Sequence, residues 1–437
     1  MKKLLIPLLA VLAAADVRGG VPTPERIAAD PSCVRFDLSL YPESEIGPET
    51  PPPAGYALCY IAHYGRHGSR LCSVESDYTT PLATLEAAER RGSLTRSGTE
   101  LLASLRIISA EARLRSGELT PAGAEQHRAQ ARRLSDRCRD LFRDGTRIES
   151  LSSTSRRCIL SMTAFCEELK ARYPGLVITH EASERSYPLV YAFGKDPDDP
   201  ARYAAFDSVR HTVLYRSLMR EPDSATVHAG AMVGRIIIDA ATLSASRQVA
   251  LTRQIYKIAN SLAGSTCADL DLYRYFTPEE LYAQWRYANY KLYLLCGPSA
   301  QFGAWIRCMA SPVLRYVISC CDRALETGDH AASLRFGHDN TLMALGVLLG
   351  VEGLDLRTSD IDTVSARWSA GDYTPAAGNL QLLFYRHATT RRVLVKLLWN
   401  ENEVRIPLPA VTGPYYAWDD FRAYCLDKME EADLCYR

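Results

Sequence analysis

Short apolar runs along the chain predict the buried strands of a sheet. The clearest run covers residues 56–63 and leads into a glycine-containing loop, which is typical of a central strand buried on both faces. Shorter runs at 146–151 and 176–180 predict two more strands in the first half of the chain. Strand character returns late, over 333–337, 380–385, 392–398 and 403–408, the last pairing after a turn at 400–402.

Helical periodicity fills much of the chain between these strands. It covers residues 80–115, and Thr120 followed by a proline starts another helix, because threonine caps helix N-termini and proline suits the first helical position. From 186 to 305 helices with aromatic stripes dominate, and Thr277 with its following proline again marks a helix start. Strands at both ends around a helical middle predict an α/β domain that carries an all-α insertion.

The predicted division of the chain has four segments. They are a leader over 1–20, the first part of the α/β domain over 21–185, the helical insertion over 186–305 and the second part of the α/β domain over 306–437. Sheets of this kind bind ligands at the carboxyl ends of their strands. Chemistry is therefore expected in the segments that follow the strands at 56–63 and 333–337.

The N-terminus has the pattern of a secretory signal peptide. Lys2 and Lys3 precede an apolar run that ends in small residues, and no cysteine follows it that would carry a lipid. Cleavage after Ala15 fits best, with a site near Gly19 as the alternative. A frayed N-terminal helix is the other interpretation of this segment. We expect a secreted or periplasmic protein.

Composition narrows the function classes. The 437 residues carry 51 basic and 51 acidic side chains, which argues against a dedicated nucleic-acid binder and means that any anion site must be a local cluster of cations. Apolar residues make up 47% and charged residues 23%, which is ordinary for a globular protein. No run after the leader approaches the ~18 apolar residues of a membrane span, so we expect no membrane-spanning segment and no nucleic-acid partner.

Thirteen cysteines raise the question of disulfides and metals. An exported protein allows disulfides, and an odd count leaves at least one thiol unpaired. The sequence contains neither a CxxC spacing nor a repeated Cys/His pair, so it does not support a structural zinc site. We expect a few disulfides and several buried thiols, with the pairing left open.

The segment after the first strand carries the strongest chemical signal. Arg66 and Arg70 flank His67, and Gly68 allows close backbone approach to a bound group. Arginine presents a planar set of donors that suits phosphate or carboxylate oxygens. A histidine held between such cations resists protonation and can act as a nucleophile. The alternative is a polar loop with solvated arginines.

Two further segments also carry candidate anion-binding or catalytic residues. The strand at 333–337 ends in His338 and Asp339, which could serve as an oxyanion donor and a general acid, or as a structural histidine beside a helix-capping aspartate. Arg156 and Arg157 stand at the first turn of a helix, where their charge opposes the helix dipole unless an anion binds there. Surface arginines without a ligand are the alternative.

Together these segments resemble the histidine acid phosphatases, branch 2 of the histidine phosphatase superfamily. Residues 66–70 match the RHGxR motif, 338–339 match the HD motif, and 119–126 resemble the LTxxGxxQ helix start. The Arg-x-x-x-Ser-x-x-x-Phe spacing of 157–165 favours Arg157 over its neighbour as a phosphate ligand. The resemblance implies a three-layer α/β/α, phosphoglycerate-mutase-like sheet domain whose all-α insertion forms the roof of the pocket.

Within that branch, residues 276–293 and 334–338 look most like multiple inositol polyphosphate phosphatases. That subgroup usually carries His-Ala-Glu, whereas this chain has Asp339 and Asn340 after the histidine, as in general acid phosphatases and histidine acid phytases. The resemblance of residues 276–293 and 334–338 implies an inositol phosphate such as phytate as the substrate. A broad acid phosphatase acting on sugar phosphates or nucleotides is the alternative.

The roles implied by the resemblance need neither metal nor cofactor. His67 is the expected nucleophile and Asp339 the expected general acid, and the expected phosphate ligands are Arg66, Arg70, Arg157 and His338. A protein that only binds anions would need the arginines but neither His67 nor Asp339, so the presence of both favours an enzyme. A branch-1, mutase-type enzyme fits less well, because such chains are usually shorter and cytoplasmic. The oligomeric state stays open.

Overall fold

The computed structural model of the protein describes residues 20–212, 216, 218–220 and 229–435. The predicted leader, 1–20, lies outside the described residues except for its last position. The strands are Tyr56–Arg66 (β1), Arg147–Ser152 (β2), Val177–Glu181 (β3), Ala332–Gly337 (β4), Asn379–His387 (β5), Val393–Trp399 (β6), Asn402–Glu403 (β7) and Tyr415–Ala417 (β8). The α-helices of the described residues are Pro24–Ala29 (α1), Ser76–Arg90 (α2), Arg96–Ala112 (α3), Pro121–Arg137 (α4), Arg156–Arg172 (α5), Pro200–Arg210 (α6), Ala229–Ile236 (α7), Ala245–Ser261 (α8), Pro278–Cys296 (α9), Gly303–Thr327 (α10), Asp339–Leu349 (α11), Ile361–Arg367 (α12), Ala370–Tyr373 (α13) and Trp418–Asp433 (α14).

One sheet organises the α/β part of the molecule. Its strand order is β3-β2-β4-β1-β5-β6-β7, and β8 pairs with β6. Strands β3, β2, β4 and β1 run parallel, and β5 adds to β1 in the antiparallel sense. Arg66 at the end of β1 lies in register with Gly337 at the end of β4. The residues that follow these two strands are therefore neighbours at one edge of the sheet.

Helices cover both faces of the sheet. Successive β1 side chains point to opposite faces, as the pleat requires: Ile61 packs in a core with Phe165 of α5, and Ala62 packs in a second core with Leu345 of α11 and Phe421 of α14. Both cores are apolar, so β1 and β4 are buried on their two faces. The predicted three-layer α/β/α architecture is confirmed.

A third core is built almost entirely from helices. It joins Leu85 of α2 and Leu101 of α3 to Val233 of α7, Ile255 of α8 and Trp285 of α9. The first two of these helices precede β2 in the chain, so the helical part of the molecule draws on segments both before and inside the predicted insertion at 186–305. The predicted domain boundaries stay a prediction.

The predicted strand at 403–408 is wrong beyond its first residue. Within this segment Asn402 and Glu403 pair with β6, and the amide of Val404 adds one more bond to β6 at 3.2 Å. Pro407 has no amide to donate, and the amide of Ile406 donates to the side-chain hydroxyl of Tyr416 at 3.3 Å rather than to a backbone carbonyl of the sheet. The chain therefore leaves the sheet within two residues of the turn.

The expectation of a few disulfides is also wrong. No disulfide forms among the 13 cysteines, all of which fall within the described residues, and ten of them are buried. Cys138 and Cys166, for example, pack in the apolar core between α4, α5 and the sheet. Burial raises the pKa of both thiols. These cysteines act as small apolar side chains.

Two features are absent from the described residues. No helix in them is both long and apolar enough to cross a bilayer. Likewise, no group of three or more histidine, cysteine, aspartate or glutamate side chains in the described ranges is arranged to hold a metal ion.

Candidate active site

The loop after β1 is fixed by backbone bonds to both neighbouring strands. The amide of His67 donates to the carbonyl of Gly337 at 3.0 Å, and the amide of Arg66 donates to the carbonyl of Gly378 at 2.7 Å. The parallel pairing with β4 thus extends one residue past the strand. It places His67 beside His338, with the two ring centres 5.6 Å apart.

His67 is held in one tautomer by its own loop. Its Nδ1 atom lies 2.9 Å from the carbonyl oxygen of Gly68, which can only accept, so Nδ1 carries the proton and Nε2 keeps its lone pair. The side chain is 2% exposed. Burial, and then the positive charges of Arg66, Arg157 and Arg70, lower the pKa of His67 well below its ordinary value. The lowered pKa favours the neutral form of the ring, in which Nε2 carries no proton.

The start of α4 packs directly on this loop through two glycines. A Cβ on Gly68 would lie 2.2 Å from the carbonyl oxygen of Gly123, so no larger residue fits without a backbone shift. Thr120 caps α4 and also donates to the Ser69 carbonyl at 3.0 Å. Gln126 accepts from the Ser69 amide at 2.9 Å. The Thr-x-x-Gly-x-x-Gln spacing thus clamps the loop that carries His67.

Arg66 connects the two predicted catalytic segments. Its guanidinium is 1% exposed, and Nη2 lies 3.2 Å from Oδ2 of Asp339. A second nitrogen donates to the carbonyl of Thr374. Arg66 is thus a buried cation beside the expected general acid.

The two arginines at the start of α5 have different environments. Arg156 is 70% exposed, with Glu118 4.0 Å away. Arg157 turns inward, where its Nη2 atom donates to Nδ1 of His338 at 3.3 Å. Burial and the nearby charges of Arg70 and Arg66 lower the pKa of Arg157 below its ordinary value. The structure therefore places Arg157, and not its neighbour, among the site cations.

Arg70 completes the cation cluster. It is half-buried, and its Nη1 atom donates to the carbonyl of Leu71 at 3.1 Å. Its charge contributes to the lowered pKa of His67, of Arg157 and of Asp339, so its guanidinium faces the same space as they do. Three arginine side chains therefore converge on one small volume, which is an arrangement that binds a multiply charged anion.

His338 is engaged at both ring nitrogens. Because Nδ1 accepts from Arg157, Nε2 carries the proton, and it lies 3.1 Å from the hydroxyl of Ser153 and 3.8 Å from the sulfur of Cys158. Burial, followed by the charge of Arg157, lowers the pKa of His338 to about 3. In this arrangement His338 orients Arg157, and a direct contact between His338 and phosphate stays a prediction.

Asp339 begins α11 and faces the same cluster. Its Oδ1 atom accepts from the amide of Asn340 at 2.8 Å, while Oδ2 faces Arg66. Burial alone would raise the pKa of Asp339, but Arg66 and Arg70 outweigh it and hold the pKa below its ordinary value. A bound anion would neutralise these arginines and raise the pKa of the carboxyl, which favours the protonated form that a general acid needs.

Two tyrosines that no motif indicated shape the wall beside His338. The ring of Tyr191 packs edge-on against the imidazole at 4.8 Å, and its hydroxyl accepts from the side-chain amide of Asn340 at 3.3 Å. The hydroxyl of Tyr64 accepts from the His338 amide at 3.2 Å and donates to the carbonyl of Val190 at 2.8 Å. These contacts tie the segment at 190–191 to the site.

A layer of buried rings lies behind the loop. His63 packs against Phe165 and Phe336 with ring centres 5.4 and 5.6 Å away, and His127 meets Phe336 at 5.7 Å. Burial lowers the pKa of both histidines to about 3. His63 is therefore a neutral core residue one layer beneath the site.

Two arginines elsewhere in the helical region form ion pairs within the protein. Arg202 forms a 2.9 Å ion pair with Asp433 of α14 and also pairs with Asp199 at 3.0 Å. Arg210 pairs with Asp207 one helical turn away. All six predicted site residues, by contrast, are brought together at the carboxyl ends of β1 and β4.

The fold is similar to that of several solved phosphatases. The multiple inositol polyphosphate phosphatase of Bifidobacterium longum, bound to inositol hexasulfate, matches at TM-score 0.75 and 18% identity over 88% of this chain and 95% of that chain. The phytase of D. castellii matches at TM-score 0.69 and 14% identity over 90% of this chain and 85% of that one. Hafnia alvei phytase with tartrate matches at 0.53 and 13% identity over 87% and 99% of the two chains.

Sequence comparison alone finds no such likeness, since no family model and no curated protein matches the chain. At identities this low the structural likeness establishes the fold. The chain has the fold of the histidine acid phosphatases, as the spacing of its motifs predicted.

Proposed function

We propose that the protein is a phosphoric monoester hydrolase that acts on inositol polyphosphates through a phosphohistidine intermediate. One observation carries the proposal: a neutral histidine with a free Nε2 lone pair, His67, shares a single cluster of three arginines with a carboxyl group, Asp339. The cations would bind a phosphate ester, and the other two groups are those needed to break it.

The first half of the reaction transfers the phosphoryl group to the protein. Arg66, Arg70 and Arg157 hold the non-bridging oxygens and neutralise their charge. His67 Nε2 attacks phosphorus in line, forming the N–P bond as the ester P–O bond breaks. The electron pair of that bond leaves with the alcohol oxygen, which takes the proton of Asp339.

The second half restores the protein. A water molecule attacks the phosphorus of the phosphohistidine, and the Asp339 carboxylate takes a proton from this water. The N–P bond breaks, its electron pair returns to Nε2 of His67, and inorganic phosphate leaves. The positive charge that stabilises both steps comes from side chains, so the proposed reaction needs no metal ion.

The choice of inositol phosphates is supported by the comparison. Structures with this fold include an inositol polyphosphate phosphatase bound to inositol hexasulfate and a phytase. A compact ring bearing several anionic groups suits a pocket whose polar groups are mainly cations. The Asp339 that directly follows His338 is found in general acid phosphatases as well as in histidine acid phytases, so the substrate requires its own test.

We also propose that the protein is exported. The support is the sequence of the leader, with two lysines before a short apolar run and small residues at its end. Mass spectrometry of the mature N-terminus, purified from the extracellular or periplasmic fraction, tests this. A mature chain beginning near residue 16 or 20 supports export, and a chain that starts at Met1 and stays in the cytoplasm contradicts it.

Phosphate release at acidic pH without added metal tests the function. Phytate and p-nitrophenyl phosphate are compared in parallel on the wild type and on His67→Ala. We expect release from both substrates, a clear preference for phytate, and loss of turnover in the variant to the uncatalysed background because the attacking nitrogen is gone. His211→Ala, which removes a histidine on the surface, is the matched control and should retain activity.

The outcomes separate the alternatives. Activity on the aryl ester but not on phytate would replace the inositol phosphate substrate with a broader acid phosphatase. Equal activity of wild type and His67→Ala would contradict the phosphohistidine route. Binding of phytate without any release would favour an anion-binding protein.

A further inference from the structure

A second cavity lined by cations lies far from the candidate active site. It has a volume of about 430 Å³. Arg307, Arg357, Arg405 and Lys428 all line it, although they belong to four separate segments of the chain. Part of its wall is the end of α11, whose first residue is Asp339. Eleven helical residues span about 16 Å, so the two sites are separated by the length of one helix.

The charge of this second cavity is only partly balanced by the protein. Lys428 pairs with Glu431 at 3.0 Å. Among the described residues, Arg307, Arg357 and Arg405 have no carboxylate oxygen within 4.0 Å, the limit for an ion pair. Glu352 and Asp355 also line the cavity and are exposed. Three guanidinium groups are thus available to a ligand.

Two of these arginines repel each other. Burial, and then the charge of Arg357, lower the pKa of Arg307 below its ordinary value, and Glu431 compensates only in part. The same two arginines, after Lys428, lower the pKa of Glu431. Lys428, Arg307 and Arg357 therefore share Glu431, and with Glu352 and Asp355 included the cavity has four cations against three carboxylates, which leaves positive charge for another anion to balance.

The helix dipole does not account for these cations. Cations often lie at a helix C-terminus, where the last carbonyls carry partial negative charge. At the end of α11, however, the carbonyl of Leu349 accepts from the hydroxyl of Tyr424 at 2.8 Å. Gly350 takes the left-handed conformation (φ 65°) that closes a helix, and the Val351 amide donates to the Gly346 carbonyl at 2.9 Å. Three of the last four carbonyls of this helix therefore already accept a hydrogen bond from the protein.

The floor of the cavity is apolar. Val347, Leu354 and Ile406 line it and are almost fully buried. A ligand of this cavity therefore combines several negative groups with a compact carbon skeleton. Arginine favours phosphate and carboxylate groups, which it contacts through two parallel donors.

We propose that this second cavity binds a small organic polyanion, with several phosphate or carboxylate groups on a compact carbon skeleton. None of the described residues that line this site is a histidine or a cysteine, so these residues bind a ligand without a nucleophile of the kind found at His67. The proposal stands independently of the proposed catalysis, because binding is measured without turnover.

Isothermal titration of the full-length protein tests this. The probes are myo-inositol hexasulfate, which carries phosphate-like groups, and citrate, which carries carboxylates. We expect two binding events in the wild type for at least one probe. The double variant Arg307→Gln/Arg357→Gln should lose one event, and Arg70→Gln should lose the other. Arg323→Gln, on the same helix as Arg307 but paired with Glu149, is the matched control and should keep both.

A single variant tests the same site in case the double variant does not fold. Arg405 is exposed on a loop, so Arg405→Glu should fold and weaken the second event at least tenfold by reversing one charge. Which probe binds identifies the anionic group. A single event in the wild type that Arg70→Gln removes, or a second event that survives both the Arg405→Glu and the double variant, would overturn the proposal.

Discussion

The two ends of α11 carry two clusters of cations that differ in burial and in chemistry. At the first end Arg66 is 1% exposed and lies beside a neutral histidine and a carboxyl group. At the second end Arg357 and Arg405 are exposed, and the lining residues that the structure describes include neither histidine nor cysteine. Both clusters can bind an anion. Only the first also holds the groups that form and break a bond to phosphorus.

The difference separates binding from catalysis within one molecule. Guanidinium groups attract phosphate wherever they converge, and that attraction lowers the energy of the bound ester and of the transition state together unless the geometry favours the latter. At the first site the strand ends fix the loop of His67 by bonds of 2.7 to 3.0 Å, and α4 clamps it through Gly68 and Gly123. This rigidity is what a catalytic cluster requires and a binding cluster does not.

Removing the acid while keeping the cations tests most directly whether the first site is catalytic. Asp339→Asn preserves size and the contact with the Asn340 amide but cannot protonate a leaving alcohol. We expect hydrolysis of an alkyl phosphate to fall by about 10²- to 10⁴-fold, the usual contribution of a general acid, while p-nitrophenyl phosphate falls far less because its leaving group needs no proton. Steady-state rates on the two esters measure this.

Equal losses on the two esters would contradict the acid role of Asp339. In that case the carboxylate would act only by positioning Arg66, 3.2 Å away. Asp362→Asn, at an exposed aspartate on α12, is the control for the substitution itself and should leave both rates unchanged.

The two adjacent arginines at the start of α5 test the same difference one charge at a time. Arg157→Gln should lower kcat/KM by about 10²- to 10³-fold, because a preorganised donor to the transferring phosphoryl group is lost. Arg156→Gln should change it less than about twofold, since that side chain is 70% exposed. Arg307→Gln, at the other end of α11, should also leave kcat/KM nearly unchanged. Comparable losses at positions 156 and 157 would contradict the assignment.

Much of the first site could be predicted from sequence because its residues are local to strand ends. An apolar run followed by Arg66 and His67 indicates a buried strand and its loop, and the spacing to Ser161 distinguishes Arg157 from its neighbour. Ser161 in fact accepts from the Gly68 amide at 3.2 Å, so the motif records a real contact. The HD motif indicates His338, and the parallel register then places it beside His67, a contact that no local pattern specifies.

Contacts between distant segments could not be predicted. Ser153 meets His338 across 185 positions, and Gly264 approaches Ser69 so closely that a Cβ would lie 2.7 Å from the serine Cβ. Neither has a sequence signature, because any small residue at a suitable place in the fold would do. The second cavity is the extreme case, since its four cations come from four segments that no spacing relates. The predicted strand at 403–408 was wrong for a local reason, the proline at 407.

The buried histidines beneath the first site should make a small contribution to the pH dependence of stability. His63 and His127 are buried and have a pKa of about 3 in the folded protein, against about 6.5 for a histidine in an unfolded chain. Between these values the unfolded chain binds more protons, so the free energy of unfolding falls as pH drops from about 6.5 toward 3. Each histidine contributes at most about 1.4 kcal/mol per pH unit to that slope.

Urea unfolding at pH 7, 5.5 and 4.5 measures the slope, and His63→Phe tests its origin. Phenylalanine keeps a ring against Phe165 and Phe336 but has no proton to gain, so the variant should lose less stability than the wild type as the pH falls. His211→Phe changes a ring that is exposed to solvent both in the folded protein and in the unfolded chain, so it should leave the slope unchanged. A wild-type slope in His63→Phe would show that the buried ring is protonated in the folded protein. His63 would then be charged at acidic pH, and the layer beneath His67 would contain a cation instead of a neutral ring.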